Sequence, residues 1–398
     1  MKKKQGDDLL NKKNLMIVIV ISNLFLIFTG VGLVIPVMPL LMEDMHFNGA
    51  TMGMMLSVFS VMQLLASPIM GYLSDRLGRK RMIVMGMLLF AVSEFIFGFA
   101  NDKYIFYASR GLGGVAAALI MPSVTAFVAD MTSVEQRPKA MGYVSAAISG
   151  GFIIGPGIGG ALVSFGHRTP FFVAGLIAII GCLLTQLVLT EPKHFNQGEK
   201  QNTNNAKEIV RAFLSQPGVL FIFIIIFISS FGLQAFESIY TIMTTIIFGF
   251  NAAQIAFIIT VSGLLALVFQ LFLFDAIVRK ISEIGLIQLT FFISAGFIFI
   301  IAFTKNATIF VISTFIVFLA FDLFRPAVTT YLSKLAGENQ GTVNGLNSTF
   351  TSFGNIIGPV ASGALFDYNQ HFPYYVSAII LLITGVLSLF IHKAQNRE

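Results

Sequence analysis

Apolar runs of about 20 residues or more recur along the whole of this chain, and no other feature restricts its fold so sharply. They fall at 14–41, 49–74, 81–100, 104–131, 138–165 and 169–190, then at 217–247, 253–277, 283–304, 307–334, 343–366 and 373–392. Each can cross a hydrocarbon core of about 30 Å. Hydrophobic residues make up 56% of the chain. Charged residues make up 11%, against about 25% in soluble domains, and mean hydropathy is +0.84. Lipid offers backbone groups no hydrogen bonds, so such segments must satisfy their own as helices. The expectation is an all-α polytopic membrane protein of twelve transmembrane helices, six in each half.

Lys and Arg in the connecting segments predict the orientation. Lys2, Lys3, Lys4, Lys12 and Lys13 precede the first run. Arg76, Arg79, Lys80 and Arg81, then Arg137 and Lys139, then Lys193, Lys200, Lys207 and Arg211 follow on the same side, with Arg279, Lys280, Lys334, Lys393 and Arg397 later. The opposite loops hold Lys103, Arg168 and Lys305. Both termini are therefore expected in the cytoplasm, and the protein in the cytoplasmic membrane. The net charge of +6 expresses this asymmetry; no single soluble face collects it, which argues against nucleic-acid binding. The first run is too long, and too poorly followed by small residues, for a removable signal peptide.

Five segments follow: a basic N-terminus at 1–13, a six-helix bundle at 14–190, a polar linker at 191–216, a second bundle at 217–392 and a tail at 393–398. The lone cysteine, Cys182, excludes a disulfide and a cysteine metal site. The five histidines fall in loops or at helix ends, without metal-binding spacing. No metal or cofactor is expected.

A glycine ladder occurs twice. Gly142, Gly151, Gly155-Pro156 and Gly159-Gly160 are matched by Gly345, Gly354, Gly358-Pro359 and Gly363 at the same intervals, with Ser362 where Gly159 would be. Small residues let membrane helices approach closely, and a proline bends each helix at the same place. The two copies imply two related halves, the parallel-repeat organisation of many secondary transporters. The ladders are read as letting the backbones of the two bundles approach.

Arg110, Glu237, Asp322 and Arg325 lie inside apolar runs. At the centre of a lipid-facing helix each would cost roughly 2.5–3.5 kcal/mol or more, so they must face protein or water. The plainer alternative to function is a set of buried ion pairs that lock helices together; Asp322 and Arg325, one turn apart, could pair. Glu237 has no basic residue nearby in its own helix, which suits a group that takes up and releases a proton. Glu94 is read as reaching only the interface, and Asp130 as closing a helix where it can hold Arg76 or a neighbouring base.

Between the second and third runs stands Gly71-Tyr-Leu-Ser-Asp75-Arg76-Leu-Gly78-Arg79-Lys80-Arg81. Glycine permits the tight return, and Asp75 is placed to bond the backbone N–H groups of a helix start, here expected in the second bundle. The second half has Asp275, Arg279 and Lys280 at the same spacing but neither glycine.

These residues resemble the major facilitator superfamily, and within it the twelve-helix drug–proton antiporters. GYLSDRLGRKR is similar to that superfamily's cytoplasmic loop signature, SRGLGGVAAA to its fourth-helix motif, and the ladder from Gly142 to Gly160 to its fifth-helix antiporter motif. NLFLIFTGVGLVIPVMP, FGLQAFESIY, FDLFRPAVT and GLNSTFTSFGNIIGP extend the likeness along nearly the whole chain. The resemblance implies that Glu237 and Asp322 couple protons, with Arg110 and Arg325 in their charge network. It also implies a drug cavity lined by Phe28, Phe59, Phe152 and Phe318, with Asn347 and Asn355. It further makes the loop residues Gly71, Asp75, Arg76, Gly78, Arg79 and Lys80 a conformational gate, together with Gly142, Gly151, Gly155, Pro156, Gly159 and Gly160. Of 42 phenylalanines most must face lipid or core, so the four named rest on the resemblance.

The expected function is export of amphipathic, often cationic drugs in exchange for protons, by a monomer in contact with membrane lipid. Export of a lipid or another endogenous amphipath is the alternative within the same class. A membrane-embedded enzyme would need a nucleophile–base pair or metal triad at membrane depth, and none is visible.

Overall fold

In a computed structural model, residues 2–133, 135–191, 215, 217–336 and 340–389 are described. The linker residues 192–214 and the tail 393–398 lie outside these, as do the side chains of 2–12. All regular structure among the described residues is helical. The helices are α1 (Lys2–Leu33), α2 (Met38–Met45), α3 (Gly49–Leu77), α4 (Arg79–Phe99), α5 (Lys103–Asp130), α6 (Arg137–Val163) and α7 (Thr169–Val188). They continue with α8 (Pro217–Phe248), α9 (Ala252–Phe272), α10 (Phe274–Phe303), α11 (Ala307–Ala336), α12 (Gln340–Tyr368) and α13 (Phe372–Ser388).

The expected runs map onto these elements one for one. α1 and α2 form the first run, joined by a 3-10 turn at Ile35–Val37 that contains Pro36. Among the described residues, ten segments are long and apolar enough to cross a membrane. The other two are α12, which spends positions on Asn347, Ser348, Thr349, Ser352 and Asn355, and α13, which has 17 residues. Helix starts follow local chemistry. Asp102 accepts from Tyr104 N at 2.8 Å and opens α5. Asn251 and Gln254 exchange hydrogen bonds in a capping box that opens α9.

One boundary departs from expectation. The run at 253–277 ends as helix at Phe272, and α10 is broken at Ser282, which takes φ +64. The stretch Phe274–Ile281 is thus a separate helix of about two turns ahead of the restart. Ser282 Oγ accepts from Gly285 N at 3.2 Å and caps the restart.

Internal contacts divide the chain into two units, 1–40 with 58–199, and 41–57 with 200–398. The segment 41–57 thus groups with the second unit, whereas the sequence places it within 14–190. In the first unit α6 lies along α1, and α4 packs between α5 and α7. A buried aromatic cluster of Phe97, Phe106 and Phe171 sits where α4, α5 and α7 meet, with centroids 4.3 and 4.7 Å from Phe97. Asn23 donates to Thr185 Oγ1 at 2.6 Å and ties α1 to α7. In the second unit α12 lies along α8, and α10 packs against α11 and α13.

Candidate functional site

In the second unit, α8 carries Gln234 and Glu237 one turn apart, and Gln234 Nε2 donates to Glu237 Oε2 at 2.9 Å. Residues three apart share a helix face, so the amide holds the carboxylate without neutralising it. On α11, Phe318, Asp322 and Arg325 follow one another along a single face at helical spacing. Phe318 is buried, Asp322 half-buried and Arg325 exposed. Asp322 and Arg325 lie within electrostatic reach of Glu237. Two carboxylates and one guanidinium from two helices are therefore brought together; Arg110, expected in the same network, pairs elsewhere. A direct Asp322–Arg325 ion pair is not among the contacts of the described residues.

The residues on either side of Glu237 in α8 pack against aromatic rings. Phe236 meets Phe318 edge-on at 5.5 Å and Tyr374 at 5.4 Å, and Tyr240 stacks on Phe310 at 5.7 Å. Phe318 is thus buried against Phe236 and Tyr240 of α8. Asn347 and Asn355 on α12 are half-buried, and Asn355 Oδ1 has no hydrogen-bond partner within the protein. A buried acceptor left open costs about 1–3 kcal/mol and offers a place for a donor from outside the chain.

In the first unit, Arg110 on α5 donates from Nη2 to Glu94 Oε1 on α4 at 2.9 Å. Both side chains are sealed, at 3% and 0% exposure. The Arg110 guanidinium also lies 4.3 Å from the centre of the Phe97 ring. This corrects the reading of Glu94 as an interface residue: it is fully buried, and it is the counter-ion of Arg110. The plainer reading of Arg110, an ion pair joining two helices, is what its contacts show. Glu94 Oε2 and Arg110 Nε have no partner in the protein. Phe28 and Phe152 meet at 5.0 Å, Phe152 being exposed, while buried Phe59 lies against Gly113 of α5.

The ladder glycines divide by what a Cβ would meet. At Gly151 it would lie 2.7 Å from Phe25 O, at Gly155 2.6 Å from Thr29 O and at Gly159 2.7 Å from Leu33 O. In the second copy, Gly354 faces Phe231 N at 2.6 Å and Gly358 faces Phe231 O at 2.9 Å. Gly151, Gly155 and Gly159 therefore join α6 to α1, and Gly354 and Gly358 join α12 to α8. Gly363 meets a different helix: a Cβ there would lie 2.3 Å from Gly49 O on α3, a run the sequence assigns to the first bundle. Gly71, Gly142 and Gly345 meet nothing within 4 Å. Where the second copy has Ser362, its hydroxyl is 2.9 Å from that of Ser238 on α8.

The second ladder has a further contact. Asp367 accepts from Gly49 N at 2.6 Å and from Ala50 N at 2.9 Å, capping the start of α3 with both oxygens. Ser57 Oγ donates to Ile356 O at 2.6 Å, and a Cβ on Gly53 would stand 2.0 Å from Pro359 O.

In the α3–α4 loop, Asp75 pairs with Arg79 in its own turn. Arg79 also reaches Asp130 Oδ2 at 3.4 Å and Ser74 Oγ at 3.2 Å. Asp130 thus holds a neighbouring base, Arg79. The carboxylate that caps the start of α4 is Glu191, which accepts from Arg79 N and, at 3.2 Å, from Lys80 N. Gly78 takes φ +103, and a Cβ there would lie 2.9 Å from the Glu191 carboxyl carbon, so glycine is required on both counts. Glu191, Asp367 and Gln234 were not singled out from the sequence; Gln234 alone left a signal, its spacing from Glu237.

Comparison with known proteins now bears on this arrangement. A profile of the Major Facilitator Superfamily matches residues 20–350 and 248–398. "Multidrug resistance protein 2" of Bacillus subtilis (strain 168) is 44% identical over 392 residues, covering 97% of this chain and 98% of the relative. "Quinolone resistance protein NorA" of Staphylococcus aureus (strain COL) is 37% identical over 391 residues, covering 97% and 99%. Among solved structures, a bacterial homolog of the human lysosomal transporter Spinster superposes with a TM-score of 0.81 at 15% identity, covering 96% of this chain and 97% of that one. The nucleoside transporter NupG gives 0.80 at 13%, covering 95% and 99%. At such identity the structures establish the fold. The chain belongs to the major facilitator superfamily, and is a multi-pass membrane transporter.

Proposed function

We propose that this transporter is a proton-coupled multidrug exporter of the cytoplasmic membrane, with both termini in the cytoplasm. The observation that carries the reading is Glu237, held by Gln234 and within reach of Asp322 and Arg325, in a chain 44% identical to a protein named for multidrug resistance. With both carboxylates ionised, an amphipathic cation entering from the cytoplasm is attracted to them in a site of low dielectric. In the second unit Asn347 and the open Oδ1 of Asn355 supply polar contact; in the first, Phe152 is an exposed aromatic ring packed on Phe28. Protonation of Glu237 and Asp322 from the outer side removes the attraction and releases the drug; return to the inward-open state delivers the protons inside. Arg325 is the cation that holds the two acids' charge when no drug is bound. Arg110, paired with Glu94, anchors α5 against α4. The Gly142–Gly160 ladder and the loop from Gly71 to Lys80 fix the helices that alternate between the two states.

Ethidium movement in everted vesicles tests this. An acid-inside gradient should drive accumulation by the parent chain, and Glu237→Gln or Asp322→Asn should abolish it at normal expression. Export of an endogenous amphipath is the second reading, favoured if ethidium neither moves nor competes while a gradient-driven proton flux persists with membrane extract.

A further inference from the structure

One cavity of the first unit has no part in the drug or proton chemistry. It has a volume of about 520 Å³ and is lined by Arg76, Leu77, Gly78, Lys80 and Arg81, with Gln186 and Glu191. It sits where α3 ends, α4 begins and α7 closes, at the boundary between membrane-spanning helix and loop. Three cations and one anion line it. The anion is spent: both Glu191 oxygens are held by the backbone N–H groups of Arg79 and Lys80. Lys80 Nζ donates once, to Gln186 O at 2.8 Å. The Arg76 guanidinium lies over the Tyr72 ring, 4.4 Å from its centroid, which positions it without neutralising it. Among the described residues neither Arg76 nor Arg81 has an ion-pair partner. The charge left to an entering group is therefore positive, and two guanidiniums suit a phosphate, whose oxygens accept paired N–H donors.

The surface that leads away from this cavity is apolar. From Arg81, α4 presents Met85, Leu88 and Val92 at successive turns of one face, all exposed. On α7, Leu183 and Leu187 stand exposed on either side of Gln186. A soluble phosphate would have no use for that surface, whereas a phospholipid would lay its chains along it.

We propose that this cavity binds the phosphodiester headgroup of an anionic phospholipid, with the acyl chains against the exposed face of α4. The proposal rests only on the membrane-spanning character of the chain. Bound lipid would add a negative group beside the loop that Glu191 and Asp75 already hold, and so fix the end of α3 against the start of α4.

The sequence has no tryptophan, so Met85→Trp in the full chain gives a single reporter beside the site. Reconstituted into vesicles, its fluorescence is titrated with brominated phosphatidylglycerol and, separately, brominated phosphatidylcholine. A preference for the anionic lipid of about fivefold or more is expected, since each basic residue near a membrane surface changes affinity by about that factor. Arg76→Gln with Arg81→Gln should bring the preference close to one, while Arg76→Lys with Arg81→Lys keeps most of it and controls for folding. Lys305→Gln, in a loop of the other unit, should leave it unchanged. Equal quenching by both lipids in the parent, or a preference that survives the double glutamine variant, overturns the proposal. Abolition of the preference by excess inorganic phosphate would make this a soluble-anion site and equally overturn the lipid assignment.

Discussion

Glu283 at the restart of α10 and Lys334 at the end of α11 form an ion pair that repeats, with signs exchanged, the pair between Arg79 at the start of α4 and Asp130 at the end of α5. A single register shift relates Arg79 to Glu283, Asp130 to Lys334, Asp75 to Arg279 and Gly78 to Ser282. The last two residues share a positive φ, +103 and +64. The two halves thus keep the same backbone turn and the same tie between equivalent helices while reversing its polarity. The pair is partly exposed, so its coupling should be modest, about 0.2–1 kcal/mol. Lys334→Glu should lower the melting temperature by about 1–4 °C, and adding Glu283→Lys should restore it. A double variant no more stable than Lys334→Glu alone would show that the pair contributes nothing.

The buried pair in the first unit should behave differently. Removing one partner of a sealed ion pair leaves an uncompensated charge and costs about 3–5 kcal/mol. Arg110→Met should therefore destabilise the protein in detergent strongly, and Glu94→Met with Arg110→Met should recover most of the loss. Thermal unfolding of the two variants decides it. A double variant as unstable as the single would mean that Arg110 matters through its contact with the Phe97 ring, not through Glu94.

Ladder glycines that look alike in sequence should respond in two classes. Gly151→Ala, Gly155→Ala and Gly354→Ala each force a methyl against a neighbouring backbone at less than 3 Å, an overpacking cost of about 1–3 kcal/mol. Gly142→Ala and Gly345→Ala enter open space and should be neutral or slightly stabilising, as helix propensity alone would give. Melting temperatures of the five variants, measured side by side, test the division.

Asp367 should protect the first amides of α3. Asp367→Ala removes the acceptor for both Gly49 N and Ala50 N, costing about 0.5–2 kcal/mol as a lost cap. Hydrogen exchange at those amides should accelerate, while Asp367→Asn, which keeps one acceptor oxygen, should be intermediate. Unchanged exchange in the alanine variant would show that solvent or another group replaces it.

The helices were legible because hydropathy and length specify them almost without tertiary context. Glu237 stands out for the same reason, as a charge inside an apolar run, whereas Gln234, one turn before it, does not. Glu94 was misjudged because depth along α4 does not reveal that Arg110 stands opposite on α5. The α3–α4 loop misled in its register. Matching Asp75 to Asp275 by identity aligns the letters, but the chain aligns its turn, Gly78 with Ser282, and a serine capable of positive φ is not evident from composition. The sequence makes Glu191 the first residue of a linker, since its partners are backbone N–H groups that carry no sequence signature. The ladders announced close packing, yet only the fold tells which helix each one meets.

The central claim is that export is driven by protons through Glu237, and concentrative ethidium transport in proteoliposomes of the Glu237→Gln variant tests it most directly. With the cytoplasmic face outward and the lumen acidified, the parent should accumulate dye until the gradient is collapsed. The variant, which keeps the Gln234 contact but can neither gain nor lose a proton, should show only passive equilibration. Accumulation at the parent rate and to the parent level by Glu237→Gln would contradict the account.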